Sequence, residues 1–86
     1  MPALTPSPDR ALTRAQKHAL LAMPPSADAD IASVAEATGM RPNGVALALR
    51  GLERRGFVAR QPGDSPAWRI TFTGRALMQR LTREPA

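Results

Sequence analysis

The stretch Gly39–Arg60, GMRPNGVALALRGLERRGFVAR, constrains the fold of this chain more than any other part of the sequence. Pro42 suits the first turn of a helix, because it has no N–H to lose there and its φ is already helical. Gly56 follows the last turn, where a left-handed residue commonly ends a helix. Between them, apolar residues recur at the spacing of one buried helix face: Val45, Ala48, Leu49 and Leu52. The sequence therefore predicts a helix over residues 42–55 that buries one face in a core.

The same stretch is strongly basic. The chain has 12 basic and 7 acidic side chains and a formal net charge of +5. Residues 41–75 hold seven arginines against only Glu53 and Asp64, so this segment accounts for the excess. A helix with an inward apolar face and an outward basic face predicts a polyanionic partner. The alternative interpretation is that the arginines only keep a small surface soluble.

The chain lacks the side chains on which most enzymes and metal sites depend. It contains no cysteine or tyrosine and one histidine, His18, which we expect to lie at the surface or the boundary of the first helix. Its carboxylates are scattered, and only Asp28 and Asp30 are close together, in a segment typical of a surface loop. No glycine-rich phosphate loop and no metal-ligand spacing is present. We therefore expect no enzyme activity, no catalytic residue, no cofactor and no metal.

The length of 86 residues is that of one small domain with a modest core. Prolines and the lack of apolar periodicity predict a flexible tail over residues 1–11, followed by a domain over residues 12–84. No apolar run approaches the length of a membrane span, and the N-terminal MPALTPSPDR lacks the apolar core of a signal peptide. We expect a soluble, cytoplasmic protein with no membrane partner.

A capping box predicts the first helix. Thr13 can accept a hydrogen bond from the backbone of Gln16, whose side chain can return one to Thr13. The helix is expected to run from Arg14 to Met23. It should end before Pro24, because a proline disfavours the helical conformation of the residue that precedes it.

The start of the second helix has two interpretations. The helix can begin at Asp30, or a short strand around Ala29–Ala32 can precede a helix over residues 34–38 that is capped by Ser33. We favour the second, because Ser33 and the glutamate three residues later match a capping box. Gly39 then ends this helix, and the short turn to the basic helix predicts a helix-turn-helix.

The residues after Gly56 change to a strand-like pattern. Residues 57–59 and 68–70 are short apolar runs separated by the turn formers of residues 61–66, which predicts a two-stranded hairpin. Trp68 is expected to pack the hairpin onto the helices, and the alternative is that it stacks on a base or sugar. Thr71 is expected to cap a last helix from Phe72 to about Arg83. The predicted buried stripe of that helix comprises Phe72, Ala76, Leu77 and Leu81.

Three motifs in this order resemble the DNA-binding domain of MarR-like transcriptional regulators, and more loosely that of ArsR-like and PadR-like regulators. LTRAQKHALLAM is similar to the first helix of the family, and SVAEATGMRPNGVALALRGLERRGFVAR to its helix-turn-helix with an L-E-x-x-G exit. ITFTGRAL is similar to the L-T-x-x-G-R start of the following helix. The resemblance implies an α+β, mostly α, winged helix-turn-helix: three helices, a short strand, a two-stranded wing and a C-terminal helix. It also implies a regulator that binds double-stranded DNA, with the helix over residues 42–55 in the major groove and the wing over residues 60–69 on the backbone or in the minor groove.

The chain departs from the family where specificity is usually encoded. From its 86 residues we expect it to lack the helices that build the usual MarR dimer and effector pocket, and Arg41 stands where a capping serine or threonine is common in the family. The outward positions of the basic helix include apolar residues, so base recognition would depend on Arg41, Asn43 and Arg50, with Leu47 limited to thymine methyl groups. The predicted DNA-binding residues are Arg41, Asn43, Leu47, Arg50, Arg54, Arg60 and Arg69.

A second function remains open at this point. Winged helices also serve as protein-interaction or dimerisation modules, for example in replication or phage accessory factors, and an outward patch of Ala46 and Leu47 would suit a protein groove. A homodimer is expected to form, if at all, through the C-terminal helix, where Met78 and Leu81 are available.

Overall fold

The computed structural model describes residues 12–83, which form four helices and a two-stranded antiparallel sheet. The elements in chain order are α1 (Arg14–Leu21), α2 (Ile31–Thr38), α3 (Pro42–Arg54), β1 (Val58–Gln61), β2 (Ala67–Ile70) and α4 (Phe72–Arg83). This order and the mostly helical content confirm the predicted fold class. The predicted tail over residues 1–11 and the predicted domain end at residue 84 lie outside the described residues, so the domain boundaries stay predictions.

The predicted capping box at the start of α1 is confirmed. Thr13 Oγ1 accepts a bond from the Gln16 N–H at 3.0 Å, and Gln16 Oε1 accepts one from the Thr13 N–H at 3.1 Å. The helix ends at Leu21, two residues before the predicted Met23. Met23 lies in a tighter turn, where its N–H bonds to the Leu20 carbonyl at 3.1 Å, and it is still buried.

The favoured start of the second helix was wrong, and the alternative start is correct. Helix α2 begins at Ile31 because Asp30, in an extended conformation, accepts the Ser33 N–H at 2.8 Å. The same bond lowers the pKa of the Asp30 carboxyl, since it favours the charged form. The predicted short strand is reduced to Ala29, which bonds to Trp68 of β2 through its N–H at 2.8 Å and its carbonyl at 2.9 Å.

The helix-turn-helix forms as predicted. Gly39 ends α2 in the left-handed region at φ 74°, and Pro42 is the first residue of α3. The predicted buried stripe of α3 is confirmed: Val45, Ala48, Leu49 and Leu52 are all buried. The helix ends at Arg54, one residue earlier than predicted, and Gly56 follows at φ 83°.

The wing packs one of its faces on the helices. Val58 pairs with Ile70 and Arg60 with Trp68, so these four residues share one face of the hairpin. Val58, Trp68 and Ile70 are buried, which confirms the prediction that Trp68 packs the wing onto the helices. The strands begin at Val58 and Ala67 instead of residues 57 and 68, and β1 extends to Gln61.

The bounds and the cap of α4 are confirmed, and half of its predicted buried stripe is: Leu77 and Leu81 pack inward, but Phe72 and Ala76 do not. Thr71 Oγ1 accepts the Gly74 N–H at 3.0 Å. Phe72 is 80% exposed and Ala76 is exposed, whereas Gly74 and Leu77 are buried and Met78 and Leu81 pack partly against the core. The reason is that Gly74 lies against the backbone of residue 57, which turns this side of the helix inward.

Candidate nucleic-acid interface

One side of α3 is exposed along its whole length. Asn43, Leu47, Arg50 and Arg54 are all exposed and are spaced four, three and four residues apart. This spacing puts them on one face of a helix, opposite the buried stripe. Leu47 is 67% exposed although it is apolar. The structure therefore brings together four of the seven predicted site residues in a single row.

Arg41 lies just before this row, at the start of the helix. It is the N-cap residue of α3, it is exposed, and its side chain makes no capping hydrogen bond. The 13 residues of α3 span about 20 Å, at a rise of about 1.5 Å per residue. Arg41 and Arg54 thus lie at opposite ends of a helix that is longer than the roughly 12 Å width of the DNA major groove.

The cations of α3 are available for an external partner. Within residues 12–83, no ion pair involves Arg41, Arg50 or Arg54. Arg50 and Arg54 border a shallow hollow of about 410 Å³ together with Glu53. The guanidinium of Arg55, which follows the helix, lies 5.6 Å from the centre of the Phe57 ring. The exposed side of α3 is therefore positively charged, with Glu53 at its edge.

Arg60 lies beside α3 but already has partners. Its Nη2 is 3.8 Å from Glu53 Oε1, and its guanidinium carbon is 5.1 Å from the centre of the Trp68 ring. Its side chain is 52% exposed. An exposed ion pair of this length is weak, so Arg60 can still meet an anion from solution.

Arg69 lies on the other face of the wing. It pairs with Ala59 in the hairpin register, whereas Arg60 pairs with Trp68, so the two arginines point to opposite sides of the sheet. Arg69 Nε donates to Asp28 Oδ1 at 2.9 Å, with both side chains about half exposed. Of the two predicted arginines of the wing, Arg69 is thus the one on the face opposite Trp68.

The tip of the wing carries no positive charge. Residues 62–66 are exposed, and Asp64 is the charged residue among them. Gly63 has a φ of 146°, which favours glycine in this turn. The cationic groups of the wing therefore lie at its base, and its tip presents a carboxylate.

Sequence reasoning missed the position of Glu53. In the sequence it was only one of two acidic residues among seven arginines, whereas in the structure its Oε1 accepts the indole N–H of Trp68 at 3.3 Å and lies 3.8 Å from Arg60 Nη2. The signal lay in the strand register, because the alternation of β1 and β2 puts Arg60 and Trp68 on one face. Residue spacing alone does not show that this face meets α3.

We also searched residues 12–83 for metal-binding groups and membrane-spanning helices. Residues 12–83 contain no group of three or more His, Cys, Asp or Glu side chains that could hold a metal ion. His18 is exposed, as expected. None of the helices in this part of the chain is long and apolar enough to cross a membrane.

No family model and no curated protein matches the sequence. Solved structures match its fold. BpsR of Bordetella bronchiseptica, whose DNA binding is regulated by 6-hydroxynicotinic acid, is 27% identical with a TM-score of 0.77, covering 87% of this chain and 56% of BpsR. The MarR family transcriptional regulator SPO1453 from Silicibacter pomeroyi DSS-3 is 22% identical with a TM-score of 0.75, covering 86% of this chain and 54% of SPO1453. Streptococcus pneumoniae FabT, solved in complex with DNA, is 18% identical with a TM-score of 0.75, covering 90% of this chain and 57% of FabT.

The chain has the winged helix-turn-helix fold that the MarR-like motifs predicted. It spans little more than half the length of these solved proteins. The likeness therefore covers the helices and the wing described above.

Proposed function

We propose that this chain binds double-stranded DNA as the winged helix of a transcriptional regulator, with α3 in the major groove. The observation that carries the proposal is the exposed row of Asn43, Leu47, Arg50 and Arg54, whose arginines make no ion pair within residues 12–83. A helix of this kind fits the major groove, where base edges carry a distinct pattern of donors and acceptors. FabT, which has a similar fold, was solved in complex with DNA, and this supports DNA binding by the present chain.

The chemistry of the row gives each residue a role in this proposal. Arg50 pairs with a guanine and Asn43 with an adenine, each through two hydrogen bonds, and Leu47 contacts a thymine methyl group. Arg41 and Arg54, at the two ends, neutralise phosphates. Two bidentate contacts of about 1–3 kcal/mol each give limited discrimination between sequences. We therefore propose that the chain discriminates only moderately between DNA sequences and that contacts with phosphates supply most of its affinity.

The wing adds phosphate contacts from its base in this proposal. Arg60 is beside α3 and half exposed, and Arg69 can reach the backbone after it leaves Asp28. The carboxylate of Asp64 at the tip is repelled by phosphates on both sides of the minor groove. The backbone is therefore the better partner for this wing than the floor of the minor groove.

A salt titration tests DNA binding directly. Each phosphate contact lowers the slope of log affinity against log salt by about 0.9, so four or five contacts give a slope of about −4. Fluorescence anisotropy with mixed duplex DNA at several salt concentrations measures this slope. Arg50→Ala and Arg54→Ala should weaken binding, whereas Arg75→Ala, on the exposed surface of α4, is the matched control with the same loss of charge. A flat salt response, or no binding at low salt, would refute the proposal.

Two half-sites are usually read by a dimer, and we extend the proposal to a homodimer through α4. Met78 and Leu81 are partly used by the chain's own core, so Phe72 and Ala76 supply the accessible apolar surface. Light scattering of the purified chain and of Phe72→Glu tests this. A mass of one chain at high concentration would exclude the dimer.

The proposed DNA binding also predicts where the chain acts. It would be in the cytoplasm, at the nucleoid, and it would not be an enzyme.

The exposed Leu47 also favours a second candidate function, a protein-interaction or dimerisation module without specific DNA recognition. An apolar side chain in the middle of an exposed helix is suited to a groove on a protein partner. The two candidates respond differently to mutation. Leu47→Asp should abolish binding to a protein partner, whereas reversing the charge of Arg50 should affect DNA binding most. The similarity in fold to BpsR, SPO1453 and FabT supports DNA binding over this second candidate.

A further inference from the structure

Three side chains from three elements meet where α3 joins the wing. Glu53 comes from α3, Arg60 from β1 and Trp68 from β2. Glu53 Oε1 accepts the Trp68 indole N–H at 3.3 Å and lies 3.8 Å from Arg60 Nη2, while the Arg60 guanidinium lies over the indole at 5.1 Å. We call this group of three residues the wing joint.

Trp68 is the fixed member of the wing joint. It is 3% exposed, and its backbone is hydrogen-bonded to Ala29 on one side and paired with Arg60 on the other. Its indole N–H, the one polar group of that side chain, is directed at Glu53. The Glu53 carboxylate therefore accepts a hydrogen bond from a buried side chain of the wing.

Arg60 is the loosely held member. A charge-assisted N–H···O⁻ bond is normally about 2.7–2.9 Å long, so the 3.8 Å separation from Glu53 is a distant ion pair. The Arg60 and Glu53 side chains are 52% and 38% exposed, and both are open to water and to an anion. Glu53 is also flanked by Arg50 and Arg54, which line the same hollow. It is the acidic side chain among the cations proposed to face DNA.

We propose that Glu53 is a positioning residue that holds the wing against α3, and that a DNA phosphate replaces it as the partner of Arg60 when DNA binds. The inference rests on the proposed DNA binding. In the free protein, Glu53 keeps Arg60 over the indole at the edge of the α3 row. On binding, Arg60 transfers to the phosphate, while the bond from Trp68 to Glu53 persists and keeps the wing at its angle to α3.

Two substitutions separate the two roles of Glu53. Glu53→Gln keeps an oxygen that accepts the indole N–H but removes the charge that competes for Arg60. Because an exposed ion pair contributes little, affinity for duplex DNA at low salt should rise by only about two- to fivefold. Glu53→Leu also removes the acceptor, so it frees the wing and should bind more weakly than Glu53→Gln. Glu36→Gln, on the exposed side of α2, changes the net charge by the same amount and measures the general charge effect.

The single tryptophan of the chain gives a readout that does not depend on DNA. In the free protein, Glu53→Gln should keep the emission maximum and acrylamide quenching of Trp68, whereas Glu53→Leu should change both. Adding DNA to the wild type should change the emission intensity, because Arg60 leaves the ring. In Arg60→Ala this change should be absent. Circular dichroism establishes that each variant is folded.

The outcomes distinguish the two proposals. If DNA binds the wild type but Glu53→Gln gains no more affinity than Glu36→Gln, the exchange of Arg60 is refuted while DNA binding stands. Unchanged Trp68 emission in folded Glu53→Leu would refute the positioning role. If no variant binds DNA at low salt, both the exchange and the proposed function fail. A gain specific to Glu53→Gln, with the tryptophan response lost in Arg60→Ala, supports the inference.

Discussion

Gly74 offers a sharp test of how the wing and α4 pack together. It is buried at the start of α4, and a Cβ built there would contact the Phe57 carbonyl oxygen and lie 2.8 Å from Ile70 Cγ1 and 2.9 Å from the Phe57 carbonyl carbon. The Phe57 carbonyl accepts the Thr71 N–H at 3.0 Å, so it cannot retreat without weakening that bond. Gly74→Ala must therefore displace backbone.

The magnitude follows from two opposing contributions. Forcing an extra methyl group into a packed site costs about 1–3 kcal/mol. Alanine recovers roughly 0.5–1 kcal/mol over glycine within a helix. The net loss of about 1–2 kcal/mol should lower the Tm by roughly 5–15 °C, at about 4–8 °C per kcal/mol for a domain of this size.

Gly44→Ala is the matched control. Gly44 lies in α3, and the nearest atom to a Cβ there would be the Met40 Cε at 3.7 Å, which is an ordinary contact. The same substitution should therefore stabilise the protein by about 0.5–1 kcal/mol. Thermal denaturation followed by circular dichroism compares the two variants. If Gly74→Ala is as stable as Gly44→Ala, the close approach of α4 to the wing is incorrect.

Three further predictions concern the core, a helix cap and the wing. Leu49 is fully buried, so Leu49→Ala should lose about 2–5 kcal/mol in urea denaturation, and a loss below about 1 kcal/mol would contradict its central position. The Asp30 pKa is lowered by its bond to Ser33, so the stability it contributes is present above its unfolded pKa of about 3.9 and is lost as the pH falls through the lower folded value. Asp30→Asn can still cap the helix but has no carboxyl to titrate. On acidification the Tm of the wild type should therefore fall more than the Tm of this variant. Parallel curves of Tm against pH would contradict the proposed cap. Asp64→Asn should raise DNA affinity at low salt and less so at high salt, and an unchanged affinity would place the wing tip away from the phosphates.

The features that were predicted correctly from the sequence are those that a few neighbouring residues determine. The capping box of Thr13 and Gln16 is closed by atoms three residues apart. Gly39 takes the left-handed conformation that ends α2, and Pro42 starts α3. The apolar period of α3 determines which side is buried, and therefore which side is exposed. The candidate row on that helix was predictable for this reason.

The errors have causes that lie outside the residues next to each error in the sequence. Asp30 and Ser33 are both good capping residues, and a capping box favoured Ser33. Asp30 prevails because the chain before it is held extended by Ala29, which bonds to Trp68 far along the sequence. On α4, Phe72 was assigned to the core because its spacing puts it on one helical stripe with Leu77 and Leu81. Gly74 instead determines the buried side, because its lack of a side chain lets the helix approach the wing.

The sequence by itself determined that there would be a helix-turn-helix, a wing and a basic, exposed helix face. Only the tertiary structure decided how the charges of that surface are paired. Glu53 and Trp68 are 15 residues apart, and Asp28 and Arg69 are 41 residues apart. Periodicity acts within one element, whereas these contacts depend on the register of β1 with β2 and on the face that the wing turns to α3. In the sequence, Arg60 and Arg69 are two arginines that flank the tip of the same hairpin. In the structure they lie on opposite faces of the wing, and each has a different acidic partner.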